Sequence, residues 1–222
     1  MNIYRTIAVA AASLTLGAAS CETTNNQQGQ DNSAVRNVAI EAPAGQATAA
    51  FAEGCFWCVE EIFEAVVGVD SVISGYAGGH TQNPTYDLVN TETTGHAETV
   101  LVYYDPAKVS YEELVRVFYF SHDPTTLNQQ GPDRGSSYRS VLFYQTPEEK
   151  ATAERLTAEM NKDRFNGNIT TEVKKLDKFY RAEGYHQDYV EHNPNNPYVQ
   201  NVSAPRFKKF KATYKGALKE GI

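Results

Sequence analysis

The chain has 222 residues, 41% of them apolar, which is enough for one domain with a packed core and too few for two large ones. Asp and Glu (27) outnumber Lys and Arg (20) for a formal net charge of -7, and no local run of Lys and Arg makes a basic stripe. This argues against nucleic acid or an anionic membrane surface as partner and leaves small molecules or proteins. Three cysteines are too few for a disulfide scaffold, so each needs its own explanation.

Residues 1–20 carry Arg5 as their only charged side chain, then an apolar run from Ile7 to Leu16, then Gly17, Ala18, Ala19 and Ser20 before Cys21. This is the layout of an export signal; a membrane-spanning helix needs roughly 20 apolar residues and no small-residue exit. The protein is therefore expected to be exported to the periplasm. Ala18-Ala19-Ser20-Cys21 resembles a lipobox with Ala18 where Leu is usual, which makes Cys21 a candidate for lipidation and outer-membrane anchoring. Ordinary cleavage near Ala19 or Ser20, leaving a soluble protein, is the alternative. Residues 21–47 are too polar to offset chain entropy and read as a flexible linker. One domain, residues 48–222, follows with an irregular C-terminal extension, and a monomer is expected.

Within the domain, Thr48 to Glu53 reads as a strand ending at Gly54, and Cys55 to Val67 as a helix with Phe56, Val59, Ile62, Phe63 and Val66 at helical spacing. Strands are expected over Val69–Tyr76 and His96–Tyr104. Asp105-Pro106 makes a turn, and Ser110 caps a helix through Phe120 with Glu113 at the capping-box position. A strand over Tyr138–Gln145, a helix from Pro147 to Lys162 with Glu148 and Glu149 in its first turn, and a strand over Thr170–Leu176 complete the series. The alternation gives an α/β fold: an α+β sandwich of ferredoxin-like type, with helices packed against a mixed sheet.

Gly54-Cys55-Phe56-Trp57-Cys58-Val59-Glu60 places a cysteine where a strand meets a helix, and there free N–H groups and the helix dipole favour a thiolate. Ideal helix geometry puts the Cα atoms of Cys55 and Cys58 roughly 5 Å apart, within the range a disulfide accepts. A zinc site would need two further ligands, and His80, His96, His122, His186 and His192 show no paired metal spacing. A structural disulfide, a thioredoxin-like disulfide exchanger using C-x-x-C, and a surface-anchored binding module with an inert Cys55 remain as other readings.

GCFWCVE is similar to the active-site motif of the peptide methionine sulfoxide reductase A family, and further segments resemble that family in order. They are Gly75-Tyr76-Ala77-Gly78-Gly79, the Pro-Thr-Tyr stretch ending at Tyr86, Thr94-Gly95-His96-Ala97-Glu98, Asp133 to Ser140, and Tyr185-His186-Gln187-Asp188-Tyr189. Together they span about Phe51 to Tyr189.

The resemblance implies that Cys55 attacks the sulfur of methionine S-sulfoxide, in proteins or free, while Glu98 protonates its oxygen. Tyr86 and Tyr138 are implied hydrogen-bond donors to that oxygen. Phe56 and Trp57 are implied to hold the methyl group, with Asp133 and His186 completing the substrate pocket. A sulfoxide oxygen leaves only when protonated, so the site needs a neutral carboxylic acid, and burial is what raises a carboxyl pKa. Reduction leaves a sulfenic acid on Cys55 that a neighbouring thiolate can capture. No cysteine follows Cys58, which departs from members with recycling cysteines in a C-terminal tail and makes Cys58 the resolving candidate. No cofactor is expected; electrons would come from an external dithiol or a thioredoxin-like protein.

Overall fold

Runs of β-branched and aromatic residues pair into one sheet in the computed structural model of the protein, which describes Met1 and residues 36–221. Its centre is built from β2 (Ala47–Glu53), α1 (Phe56–Glu64), β3 (Val69–Ala77), β4 (Ala97–Tyr104), α3 (Tyr111–Ser121) and β7 (Ser140–Tyr144). A short α2 (Tyr86–Val89) precedes β4, and a two-stranded ribbon of β5 (Gln129–Gln130) and β6 (Asp133–Arg134) precedes β7. The central strands lie in the order β3-β4-β2-β7 with every neighbour antiparallel, which with the helices is the ferredoxin-like βαββαβ arrangement. Outside this core, β8 (Glu172–Lys175) adds parallel to β7 after α4 (Pro147–Asp163), so the sheet is mixed, as expected.

Side chains alternate across a strand, and here both faces are covered. On one face Ala49, Phe51, Val100, Val102 and Leu142 meet α1 and α3; on the other Ala50, Ala52, Leu101, Val141 and Phe143 meet Leu176 and Phe179. The face of α1 that carries Phe56, Val59, Ile62 and Phe63 is fully buried, and each such side chain contributes about 1.5–3 kcal/mol. Phe51 stacks on Phe63 with ring centroids 4.7 Å apart, which fixes the helix over the strand that feeds it.

Ser110 caps α3 as the sequence suggests, with one exception at Glu113, and the structure adds Thr146 as the cap of α4. The Ser110 hydroxyl accepts from the Glu113 N–H at 3.1 Å and the Thr146 hydroxyl from the Glu149 N–H at 3.2 Å. The Glu113 carboxylate, expected to complete a capping box, accepts the Tyr214 hydroxyl at 2.6 Å and so ties α3 to the C-terminal segment.

Three expectations are corrected. The tether reading runs to residue 47, yet β1 (Arg36–Val38) pairs antiparallel with β9 (Phe179–Arg181), and Val38 and Ile40 pack on the second face of the sheet. Two apolar side chains and a free strand edge suffice to order a segment whose composition is otherwise polar. Tyr138 lies in a 3-10 turn, Ser136–Tyr138, after Gly135 at φ 128°, and the strand begins at Ser140. The C-terminal part is not irregular: α5 (Tyr189–His192), a π-helical turn Val199–Ser203 and α6 (Ala204–Thr213) pack back on the body, with Phe207 and Phe210 in the main core. The leader and Cys21 lie outside the described residues. Among those described, no helix is long and apolar enough to cross a membrane.

Candidate active site

Gly54 makes the turn from β2 into α1 with φ 92°, a conformation that costs glycine little, and a Cβ there would meet the Gln130 side chain at 2.5 Å. The turn leaves Cys55 as the N-cap of α1, with non-helical φ and ψ of -54° and 120°. Cys55 caps nothing with its own side chain. The free N–H of Phe56 is instead taken at 3.0 Å by Oε2 of Glu98, which reaches across from β4. A strand carboxylate and a helix terminus are thus locked together around the cysteine.

A cavity of about 330 Å³ opens there, lined by Cys55, Phe56, Trp57, Tyr86, Glu98, Asp133, Tyr138, Asn196 and Tyr198. Of the ten site residues named from sequence, seven line this cavity, Cys58 is adjacent to it and His186 stands apart; Cys21 lies outside the described residues. Glu98 is 2% exposed, and burial raises its carboxyl to about 8, with the Phe56 N–H pulling the other way and the Asp133 charge adding to the rise. It is a neutral acid at pH 7. Burial likewise pushes the Cys55 thiol up, helped by Cys58 and the Glu98 charge, while a hydrogen bond with Tyr198 works against it. The ready thiolate expected from the helix dipole is not what the resting site holds, because burial outweighs the helix terminus. Cys58 goes the other way: its hydrogen bond with Cys55 lowers it to about 6 against the effect of burial, with Arg206 and Ser203 contributing.

The aromatic wall is positioned from outside the cavity. Trp57 stacks on Tyr189 at 3.7 Å and donates its Nε1–H to Nδ1 of His186 at 3.0 Å. His186, expected to touch substrate, is 1% exposed and absent from the cavity lining; burial lowers its imidazole to about 4, which keeps Nδ1 a neutral acceptor. Its place is behind Trp57. Gln187 acts as a piece of strand, accepting from the Ser74 N–H at 3.1 Å and donating to the Ser74 carbonyl at 3.0 Å, and Asp188 donates its N–H to Glu60. The Tyr185–Tyr189 motif therefore serves the frame of the site.

Several residues here were invisible in the sequence. Glu183 accepts from the Tyr86 N–H at 2.9 Å and from the Tyr76 hydroxyl at 3.0 Å, which fixes where Tyr86 stands. Glu92 takes hydrogen bonds from Ser136 and from the N–H and hydroxyl of Ser137, holding the turn that carries Tyr138. Tyr198, one of fourteen tyrosines, donates to Asp133 at 2.5 Å and closes one side of the cavity with Asn196. No local pattern marks them; only the clustering of Asn and Pro in His192–Tyr198 hints at a structured loop. Among the described residues no group of three or more His, Cys, Asp or Glu side chains is placed to hold a metal ion.

Comparison with known proteins gives this geometry its context. The family model described as peptide methionine sulfoxide reductase matches residues 47–218. The peptide methionine sulfoxide reductase MsrA of Haloquadratum walsbyi is 47% identical over 167 residues, 75% of this chain and 95% of that protein. Its counterpart MsrA 1 of Rhodopirellula baltica is 44% identical over 182 residues, 82% and 94% of the two chains. Among solved structures, methionine sulfoxide reductase A of Corynebacterium diphtheriae superposes with a TM-score of 0.67 at 34% identity, covering 70% of this chain and 79% of that one. Reduced Mxr1 of Saccharomyces cerevisiae gives 0.67 at 30% identity, covering 73% and 91%. In sequence, in fold and in the ordered motifs around its buried cysteine, the chain belongs to the peptide methionine sulfoxide reductase family.

Proposed function

We propose that the protein is a peptide-methionine (S)-S-oxide reductase in which Cys55 is the nucleophile and Glu98 the general acid. The observation that carries this reading is the neutral, buried Glu98 carboxyl fixed on the N–H next to Cys55, within a cavity whose other wall is aromatic. Glu98, Tyr86 and Tyr138 offer O–H donors to a sulfoxide oxygen, and Phe56 and Trp57 offer apolar faces to its methyl group. Protonation of the oxygen makes the sulfur electrophilic and lets the S–O bond break. Two electrons pass from the Cys55 thiol to the substrate, which leaves as the thioether, and Cys55 keeps the oxygen as a sulfenic acid.

Cys58 then forms a disulfide with Cys55 and expels water. A dithiol, a thioredoxin-like protein in the cell, reduces that disulfide, and no bound cofactor enters the cycle. Oxidised methionine in proteins and peptides is the substrate, and repair of oxidative damage is the role.

A sulfoxide sulfur carries four different groups, counting its lone pair, and a cavity with distinct places for oxygen, methyl and attacking sulfur accepts one epimer. With dithiothreitol as reductant and the two epimers of a methionine sulfoxide peptide supplied separately, the S-epimer is expected to be consumed and the R-epimer left. Consumption of neither, or of both at equal rates, would refute the assignment.

Export through residues 1–20 and lipidation of Cys21 place the enzyme at the periplasmic face of the outer membrane, supported by the leader's layout and the Ala18–Cys21 sequence. Cys21→Ser is expected to move the protein from the membrane to the soluble fraction of cells; unchanged membrane partitioning would remove the lipid anchor.

A further inference from the structure

The resolving cysteine meets a group that the reaction as proposed above does not use. Cys58 Sγ lies 3.0 Å from the hydroxyl oxygen of Ser203, and both side chains are buried. Among the described residues Cys58 Sγ is the one hydrogen-bond partner of that hydroxyl, although a buried helical serine ordinarily bonds the carbonyl four residues back. Ser203 closes the π-helical turn Val199–Ser203, and such single wide turns are frequent at functional sites because they re-aim a side chain.

The helix that follows is anchored for the purpose. Arg206, one turn into α6, donates to the carbonyl of Ser121 at 2.8 Å and to that of Glu53 at 3.0 Å, the residue before Gly54. The Ser203 hydroxyl is thereby held fixed relative to the end of β2, from which the turn at Gly54 leads into Cys55 and α1.

We infer that Ser203 is a positioning residue for the resolving step, its hydroxyl donating to the Cys58 sulfur so that Cys58 stands as a thiolate aimed at oxidised Cys55. The inference rests on Cys58 being the resolving cysteine. In that step the Cys58 thiolate attacks the sulfur of the Cys55 sulfenic acid, the S–S bond forms, the S–O bond breaks, and the hydroxide leaves as water with one proton from the site. A hydrogen bond to a charged sulfur favours the charged form and lowers the proton affinity of the thiol. Cys58 also faces Cys55 at the cap of its helix, Glu61 on the helix itself, Glu98 on β4, Asp133 on β6, and Tyr198 and Arg206 on the C-terminal segment. The Cys55 thiol, Arg206 and Ser203 all act to lower it; Arg206 does so through its charge alone, and the Cys55 thiol is spent once Cys55 is oxidised, which leaves Ser203 as the hydrogen bond to its sulfur in the resolving step.

The test uses the full chain carrying Cys21→Ser, so that Cys55 and Cys58 are its only thiols. After one equivalent of methionine S-sulfoxide, product and disulfide are followed separately by rapid quench and mass analysis across a pH series. Ser203→Ala is expected to leave the first step intact, to slow disulfide formation at pH 7 about tenfold, and to move the pH midpoint of that step upward. Ser203→Thr, which keeps the hydroxyl, is expected to restore both. As a second measurement, ultraviolet titration of the Cys58 thiolate in a Cys55→Ser background should show a higher midpoint once Ser203→Ala is added. Unchanged disulfide rate and midpoint in Ser203→Ala, with Cys58→Ser still blocking disulfide formation, would reduce Ser203 to a space-filling role while leaving the resolving role of Cys58 standing. Full recycling by Cys58→Ser itself would instead overturn the reading beneath it.

Discussion

Glu98→Gln is expected to lower kcat/KM for methionine S-sulfoxide by about 10²–10⁴, the span that one positioned general acid supplies. The substitution preserves shape and the acceptor for the Phe56 N–H, so the junction of α1 and β4 stays closed while the transferable proton is lost. The pH profile carries the sharper signature. Glu98 is active in its protonated form, so the wild-type rate should hold below about pH 8 and fall as pH rises through that value. The residual activity of the glutamine variant should lack that limb.

Stability moves in the opposite sense. The folded-state pKa of Glu98 lies above its unfolded value, so folding loses stability as pH rises from the unfolded pKa towards about 8, and the neutral amide removes this loss. Thermal unfolding of Glu98→Gln at neutral pH should therefore occur at a higher temperature than wild type, a trade of stability for activity often seen at catalytic sites. A variant with near-normal activity and an unchanged alkaline limb would remove Glu98 from the acid's role.

Cys58→Ser is expected to convert one equivalent of S-sulfoxide per chain and then stop when a protein dithiol is the reductant, with Cys55 recoverable as a trapped sulfenic acid. Dithiothreitol, small enough to attack the sulfenic acid itself, should restore part of the turnover. The geometric difficulty of joining residues three apart at a helix start is eased by the backbone: Cys55 is outside the helix, at φ -54° and ψ 120°, so its side chain can turn towards Cys58 without breaking intrahelical hydrogen bonds other than those to its own carbonyl. Sustained turnover of Cys58→Ser with a thioredoxin-like donor would show that another group resolves the intermediate.

What could be read from the sequence follows from how locally each feature is determined. The elements β2, α1, β3, β4, α3, β7, α4 and β8 were legible because their apolar residues repeat at the period of the element they form, and because Ser110 and Pro147 mark helix starts, whereas the short α2, β5 and β6 carry no such period. β1 and β9 are three residues each and exist through pairing with each other and with β3, a long-range fact with no periodic trace. In α6 the apolar positions are few among lysines, and its hold on the body comes from Phe207, Phe210 and Arg206. At the site, Cys55, Phe56, Trp57, Glu98, Tyr86, Tyr138 and Asp133 all line one cavity, whereas His186 stands behind Trp57. Tyr198, Glu183, Glu92 and Ser203 act through contacts made by distant parts of the chain, which a linear motif does not record.

The strand that leads to Cys55 is the first of the central four in the chain but sits in the middle of the sheet, where Phe51 pairs with Val100 on one side and Leu142 on the other. Its neighbours are therefore synthesised long after it, and the surroundings of Cys55 and Cys58 are completed late in folding, when non-local pairings close. Until then both thiols are open to oxidants. Being three residues apart, they find each other before any distant partner. A bond formed too early between them is the same bond the proposed cycle makes, so premature oxidation would yield an intermediate of the reaction and leave the chain free to fold around it.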